Sequence, residues 1–242
     1  MIKISAVSYT NTLPFIYGLT HSDIKNEIEL SLDVPVVCAK KLIEGVVDIG
    51  LIPVAAILDL PETHIISDFC IGADGAVNSV FIFSNCAVEE IEFLQLDPES
   101  KTSNQLAWVL LKNYWKINPE KVNNATDYAA SAQAKTAFVQ IGDRTFGKKN
   151  NYPFSYDLAE EWKNFTGLPF VFAVWVSNKK IESALIAKLN LALKFGLDNR
   201  AEITKKAIKI PDFDLDDYLY FKIDYKFDDS KREALRRFYE YL

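Results

Sequence analysis

The sequence predicts an α/β protein of two lobes with a ligand cleft between them. Short β-like runs alternate with helical patterns along most of the chain, the rhythm of sheets covered by helices. Two of the runs, Val77 to Ser84 and Leu168 to Ser177, are long and apolar on both faces. A chain that leaves one lobe through the first and returns through the second puts residues 85–170 in a separate lobe. Residues 1–84 and 171–242 then form the other, and one continuous sheet is the alternative reading of the same spacing. Polar clusters follow several of the strands, and α/β sheets bind ligands at the carboxyl ends of their strands.

Ile2 to Val7 opens the chain as a strand, and Leu13-Pro14 starts a helix that carries on through Leu19. Ile28 to Val34 is β-like. From Val36 to Glu44 the apolar residues Val36, Val37, Ala39, Leu42 and Ile43 recur at helical spacing, and Gly45 stands where a C-cap is expected. Val46 to Ile52 reads as a buried strand that ends in a turn at Pro53. Strand signals return at Val77 to Phe83, Glu92 to Leu96, Thr136 to Ile141 and Pro169 to Val176, separated by helical stretches at Ser103 to Trp115 and Leu158 to Phe165. Beyond Ile181 the chain reads as mostly helical. Ile181, Leu185, Ile186, Leu189, Leu191, Leu193 and Phe195 give a wide apolar face, and Asp229 to Leu242 is a charged helix with Leu235, Phe238 and Tyr239 on one side.

Composition narrows the function classes. With 242 residues, 49% hydrophobic and 25% charged, the chain has the makeup of a folded globular protein. Its 27 basic residues are outnumbered by 33 acidic ones and are dispersed apart from Lys205-Lys206 and Arg236-Arg237. Nucleic-acid binding is therefore not expected, because it needs a concentrated positive field. No apolar stretch approaches the roughly 20 residues that span a bilayer. The strand that begins at Met1 lacks the features of a secretory signal, so a cytoplasmic location is expected. Cys38, Cys70 and Cys86 lie far apart without a CxxC pair, which points to reduced buried thiols rather than a zinc site or disulfides. His21 and His64 alone supply too little material for a metal site or a Ser-His-Asp triad.

Five polar clusters are candidates for chemistry. Ser8-Tyr9-Thr10-Asn11-Thr12 breaks the first strand into hydroxyls and an amide; Thr12 fits a helix N-cap, whereas capping does not account for Tyr9 and Asn11. Asp97-Pro98-Glu99-Ser100-Lys101-Thr102-Ser103 lies between a strand and a helix. Its free N–H groups, hydroxyls and ammonium make either an anion cradle or a solvated helix cap. Gly75-Ala76-Val77-Asn78-Ser79-Val80 enters a long strand, with Ser79 in a position to face the cleft. Ile141-Gly142-Asp143-Arg144 sets a carboxylate past a buried strand, either as a general acid/base or as an N-cap paired with Arg144. In Tyr156 to Trp175, Asp157 caps a helix, Gly167 ends it, and the aromatics fill a core.

The motifs SYTNTLPF, GAVNSV, DPESKTS, IGD and YDLAEEW-NFTGLPFVFAVW, in that order from Ser8 to Trp175, resemble the chorismate dehydratases of the futalosine route to menaquinone. The resemblance implies a two-lobed type II periplasmic-binding-protein-like fold with mixed sheets. It also implies conversion of chorismate to 3-[(1-carboxyvinyl)oxy]benzoate and water. The sequence departs from the family pattern at Thr10, where Leu is usual, at Ala76, where Pro is common, and at Lys101, where Arg is usual. Lys keeps the charge but not the planar fork that grips a carboxylate. The sister family, the dihydroxynaphthoate synthases, carries a catalytic His in the region of Asp143, and this chain has none there.

Chorismate is a dicarboxylate whose ring becomes aromatic by losing a hydroxyl and the hydrogen on the adjacent carbon. The reaction needs anion anchors, a base and help for the leaving oxygen, and no metal or redox cofactor. Under this resemblance Ser8, Tyr9, Ser79, Lys101, Thr102 and Ser103 are expected to bind substrate, with Asn11 and Asp143 as the catalytic candidates. The base is either Asp143 or the substrate's own enolpyruvyl carboxylate, and the absence of histidine from every motif favours the substrate. The rival expectation is a non-catalytic protein that closes on a small carboxylate, which shares the fold.

Overall fold

The computed structural model describes residues 1–122, 135–207 and 209–242. Its strands are β1 (Ile2–Val7), β2 (Ile28–Asp33), β3 (Ile49–Pro53), β4 (His64–Ala73), β5 (Val80–Ser84), β6 (Phe93–Gln95), β7 (Glu120–Val122), β8 (Thr136–Ile141), β9 (Phe154–Asp157), β10 (Phe170–Ser177) and β11 (Asp224–Lys226). They form a six-stranded sheet in the order β11-β4-β10-β3-β1-β2 and a five-stranded sheet in the order β7-β6-β8-β5-β9. In the first, β1 runs parallel to β2 and β3, while β10 is antiparallel to β3 and β4. In the second, β6 is parallel to β7 and β8, and β5 is antiparallel to β8 and β9. Both sheets are mixed, as expected.

Strands β3, β5, β8 and β10 are buried along their whole length. That is why they read as largely apolar runs, since both of their faces are covered. The chain passes between the sheets twice, at 74–79 and at 167–169. The boundary drawn after residue 84 therefore needs moving, because β5 pairs with β8 and β9 in the five-stranded sheet rather than with the first. The return falls close to where the sequence puts it, with β10 starting at Phe170 in the six-stranded sheet.

Helices α1 (Leu13–His21), α2 (Pro35–Ile43), α3 (Lys101–Asn113) and α4 (Leu158–Thr166) follow the predicted segments to within two residues. Gly45, at φ +70°, ends α2. Asp157 caps α4 by accepting the Ala159 and Glu160 N–H groups at 3.1 and 3.3 Å, and Gly167 closes it in the left-handed conformation. Thr12 does not cap α1; its hydroxyl donates instead to Asn11 Oδ1 at 3.0 Å.

Strands β4, β7, β9 and β11 escape the sequence reading. In β4 the apolar pattern is interrupted at Ser67-Asp68, where Asn190 Oδ1 accepts from the Ser67 hydroxyl and the Asp68 N–H, and the register against β10 shifts twice. Such irregularities erase the period-two signal. The broad apolar face expected after Ile181 is narrower in α5 (Ser183–Asp198), where Leu191 and Phe195 are exposed. Its buried stripe is Leu189, Ala192, Leu193 and Gly196. Small residues are needed there because α1 and α5 nearly touch backbone to backbone: a Cβ on Gly18 would lie 1.9 Å from the Ala192 carbonyl oxygen. The helix α6 (Arg200–Lys206) and a π-helical turn over Tyr218–Lys222 then lead to β11, and α7 (Asp229–Tyr239) closes the chain. No helix among the described residues is long and apolar enough to cross a membrane. Cys38 and Cys70 are buried and free, and the free Cys86 is half-buried.

Candidate active site

The turn after β1 is built to hold one amide. Val7 ends the strand, residues Thr10–Thr12 make a single 3₁₀ turn, and Pro14 starts α1 with the fixed φ that a first helical turn accepts. Asn11 is held at two points. Its Oδ1 accepts from Thr12, and its backbone carbonyl accepts from the Tyr225 hydroxyl at 2.8 Å. With Oδ1 engaged, the amide N–H₂ is the part left for other contacts.

The start of α3 supplies hydroxyls from the other half of the molecule. Ser100 caps the helix by accepting the Ser103 N–H at 3.1 Å, and its own hydroxyl donates to Ser103 Oγ at 2.9 Å. Thr102 Oγ1 accepts the Ala55 N–H at 3.1 Å, a bond that joins the turn after β3 to α3. Since the lone pair is used there, the Thr102 proton remains free to donate. Lys101 points elsewhere and pairs with Asp59 at 2.5 Å on the exposed surface. Ser8 is exposed as well, so neither residue reaches the cavity described below.

Asp143 does not pair with Arg144, contrary to the capping alternative. Its carboxylate accepts the Thr10 N–H at 3.0 and 3.2 Å and the Thr10 hydroxyl at 2.8 Å, tying the end of β8 to the turn after β1. Desolvation by the surrounding chain raises its pKa, and the Thr10 hydrogen bonds oppose the rise. Arg144 turns the other way, onto Asp97 at 2.8 Å and Glu99 at 3.2 Å. Asp97 is itself buried and also accepts the Ile141 and Glu99 N–H groups. Tyr9 donates to Glu99 across the same seam. Burial and the neighbouring Glu99 carboxylate push the Tyr9 phenol well above its ordinary range, so it stays protonated. Its ring lies flat against Gly142, where a Cβ would come within 2.9 Å of two ring carbons. That contact, together with φ +65°, requires glycine at this position.

Ser79 enters from the first crossing between the sheets and is almost fully buried. Its Oγ lies 2.9 Å from the Tyr218 hydroxyl. Among the residues of this assembly, sequence reasoning missed Tyr218, Tyr225, Ala55, Glu99 and Arg144 as partners. No motif spacing signals the two tyrosines, which come from the far C-terminal segment.

These groups surround a cavity of about 60 Å³ between the two sheets, with further space open to solvent. Tyr9, Asn11, Ser79, Ser100, Thr102 and Ser103 provide its polar wall, and Val7, Val77, Ile141 and Phe172 are among the apolar residues. Pro35 also lines it, so the N-terminal ends of both α2 and α3 face the same space and favour negative charge there. Tyr9 is the one titratable side chain among the described lining residues. Among the described residues the cavity thus offers neutral donors and two helix ends, with no charged side chain on its wall. Among the described residues no group of three or more His, Cys, Asp or Glu side chains is placed to hold a metal ion. A wider hollow of mixed charge, which Tyr218 also lines, carries Lys149, Asp212, Asp214, Asp217 and Lys222.

The architecture is similar to that of solved structures with little sequence in common. Protein AF1704 from Archaeoglobus fulgidus aligns with a TM-score of 0.72 at 14% identity, over 99% of this chain and 96% of that one. The periplasmic aliphatic sulphonate binding protein SsuA from Escherichia coli aligns at 0.60 and 12% identity, over 99% and 86%. A Candida albicans protein described as having the generic periplasmic binding protein structural fold aligns at 0.53 and 9% identity, over 99% and 80%. The fold is therefore of the periplasmic-binding-protein type, as the motif resemblance implies. In sequence, residues 2–242 match the family described as menaquinone biosynthesis. With that match running essentially from end to end, the chain belongs to the menaquinone biosynthesis family.

Proposed function

We propose that the protein is a chorismate dehydratase, a cofactor-independent hydro-lyase that forms 3-[(1-carboxyvinyl)oxy]benzoate and water in the cytoplasm. The observation that carries this reading is the character of the cavity wall: anion-favouring helix ends and neutral donors, with no side chain among the described lining residues that is a base near neutral pH. A dicarboxylate that brings its own base suits such a wall. The free Thr102 proton, Ser103 and the start of α3 hold one carboxylate, while Asn11 and Ser79 address the rest of the polar groups. The enolpyruvyl carboxylate removes the hydrogen from the ring carbon that bears its ether. Negative charge spreads through the diene to the ring carboxylate, where fixed donors are most effective. The electron pair left on the ring then forms the last double bond as the neighbouring hydroxyl departs with its C–O bonding pair, takes up that proton and leaves as water. We take 74–79 and 167–169 as the connections about which the two lobes close on the substrate.

Asp143 is assigned a holding role. Both of its oxygens are taken up by Thr10, and it is not on the cavity wall. Thr10, standing where the family usually has Leu, supplies a hydroxyl that Leu lacks. Asp143→Asn should therefore lower kcat/KM by about 10-fold or less, against the 10²–10⁴-fold typical of losing a general base. Near-abolition of turnover in that variant would reassign the base to Asp143.

The direct test is chorismate mixed with the purified protein, followed by product analysis. Formation of the aromatic ether is expected. Chorismate recovered intact but bound would favour the rival reading of a carboxylate-binding protein. Thr102→Ala should reduce kcat/KM about 10- to 150-fold, the value of a hydrogen bond to a charged group. An unchanged value would reduce the start of α3 to a structural cap.

A further inference from the structure

We propose that Tyr218 is a positioning residue that fixes the direction of the Ser79 hydroxyl, so that this part of the cavity wall presents donors only and selects an anionic oxygen. Tyr218 and Ser79 are each 1% exposed, and their oxygens are 2.9 Å apart. A hydroxyl pair shares one proton, so one oxygen donates and the other accepts. Two observations set the order. The Tyr218 O–H is placed to donate to Ser79 Oγ, its hydrogen-bond partner among the described residues. Burial holds Tyr218 in its protonated form, so the donor is always present. Ser79 then accepts from behind, and its own proton is directed to the cavity that it lines.

The relay runs from Tyr218 to Ser79 and joins the far C-terminal segment to the first crossing between the sheets. Tyr218 opens the π-helical turn Tyr218–Lys222, a widened geometry that recurs at functional sites. Its backbone carbonyl accepts the Ile223 N–H at 3.0 Å, which anchors the turn. The direction of the relay stands on this geometry alone, whereas its effect on turnover rests on the chorismate dehydratase reading.

Two experiments test the relay. In a double-mutant cycle with chorismate, Tyr218→Phe should lower kcat/KM about 10- to 100-fold in the native background. With Ser79 already replaced by Ala, the same change should cost no more than about 3-fold, because Tyr218 acts through Ser79. Equal losses in both backgrounds would overturn the proposal, since a purely structural tyrosine costs the same in each. Neutron diffraction from crystals of the perdeuterated native protein reads the direction without any substrate. A deuteron on the Tyr218 oxygen aimed at Ser79, with the Ser79 deuteron aimed into the cavity, is expected; Ser79 donating to Tyr218 would overturn the proposal. Should the native protein leave chorismate unchanged, the functional reading fails while the neutron map still decides the relay.

Discussion

Asn11→Asp should lower kcat/KM for chorismate by about 100- to 1,000-fold with little change in thermal stability. The substitution is nearly isosteric, so the Thr12 and Tyr225 bonds that hold the turn are kept. What changes is the charge facing a dianion. Two like charges about 4 Å apart repel by roughly 4 kcal/mol at the effective dielectric of a partly buried site, which sets the upper end of the range. Water at the open side of the cavity screens part of that repulsion and sets the lower end. Steady-state kinetics beside a thermal melt measure the two effects separately, and native activity in the variant would place Asn11 away from the substrate.

Gly196→Ala should be the most damaging single methyl in the chain, at about 3 kcal/mol or more of lost stability. The added Cβ would lie 1.7 Å from the Pro14 carbonyl oxygen and 2.9 Å from the Gly18 nitrogen. Neither neighbour is a movable side-chain end, so α1 and α5 must separate. For a protein of this length the loss corresponds to a melting point lower by about 6–12 °C. The shift also reaches the site, because α1 begins directly after Asn11 and Thr12. Calorimetry checks the first part. A variant that melts like the native protein would mean that the helices are less closely packed than the structure places them.

Elements with a regular local signal were legible in the sequence, and irregular ones were not. Strand β8 (Thr136–Ile141) and helix α4 (Leu158–Thr166) are bounded by residues that dictate their own conformation or burial. Strand β4 was not legible, because its two register shifts and the Asn190 contact satisfy groups that the period-two pattern cannot anticipate. The face of α5 was overestimated, since apolar residues at helical spacing do not say how wide a neighbouring surface is. Leu191 and Phe195 stay exposed, while two glycines sit at the closest contact.

The candidate site divides in the same way. Motifs after strands pointed to Tyr9, Asn11, Ser79, Thr102 and Ser103, and the structure brings all five to one cavity. Ser8 and Lys101 belong to the same motifs yet lie outside it, because adjacent residues in a turn or a first helical turn point in different directions. The opposite failure is Tyr218, which carries no motif and sits against Ser79 across 139 positions of sequence.

By itself the sequence determined the α/β class, the alternation of elements, the absence of a metal-binding or basic signature, and the family through its ordered motifs. These follow from hydrophobic periodicity and turn chemistry, which act between residues a few positions apart. Only the tertiary structure decided that β5 belongs to the second sheet, that Asp143 is occupied by Thr10, that Arg144 turns to Asp97, and that the C-terminal tyrosines stand behind the site. The physical reason is that a buried hydrogen bond is set by which oxygen or nitrogen lies within about 3 Å once the sheets have assembled, and no local pattern encodes that distance.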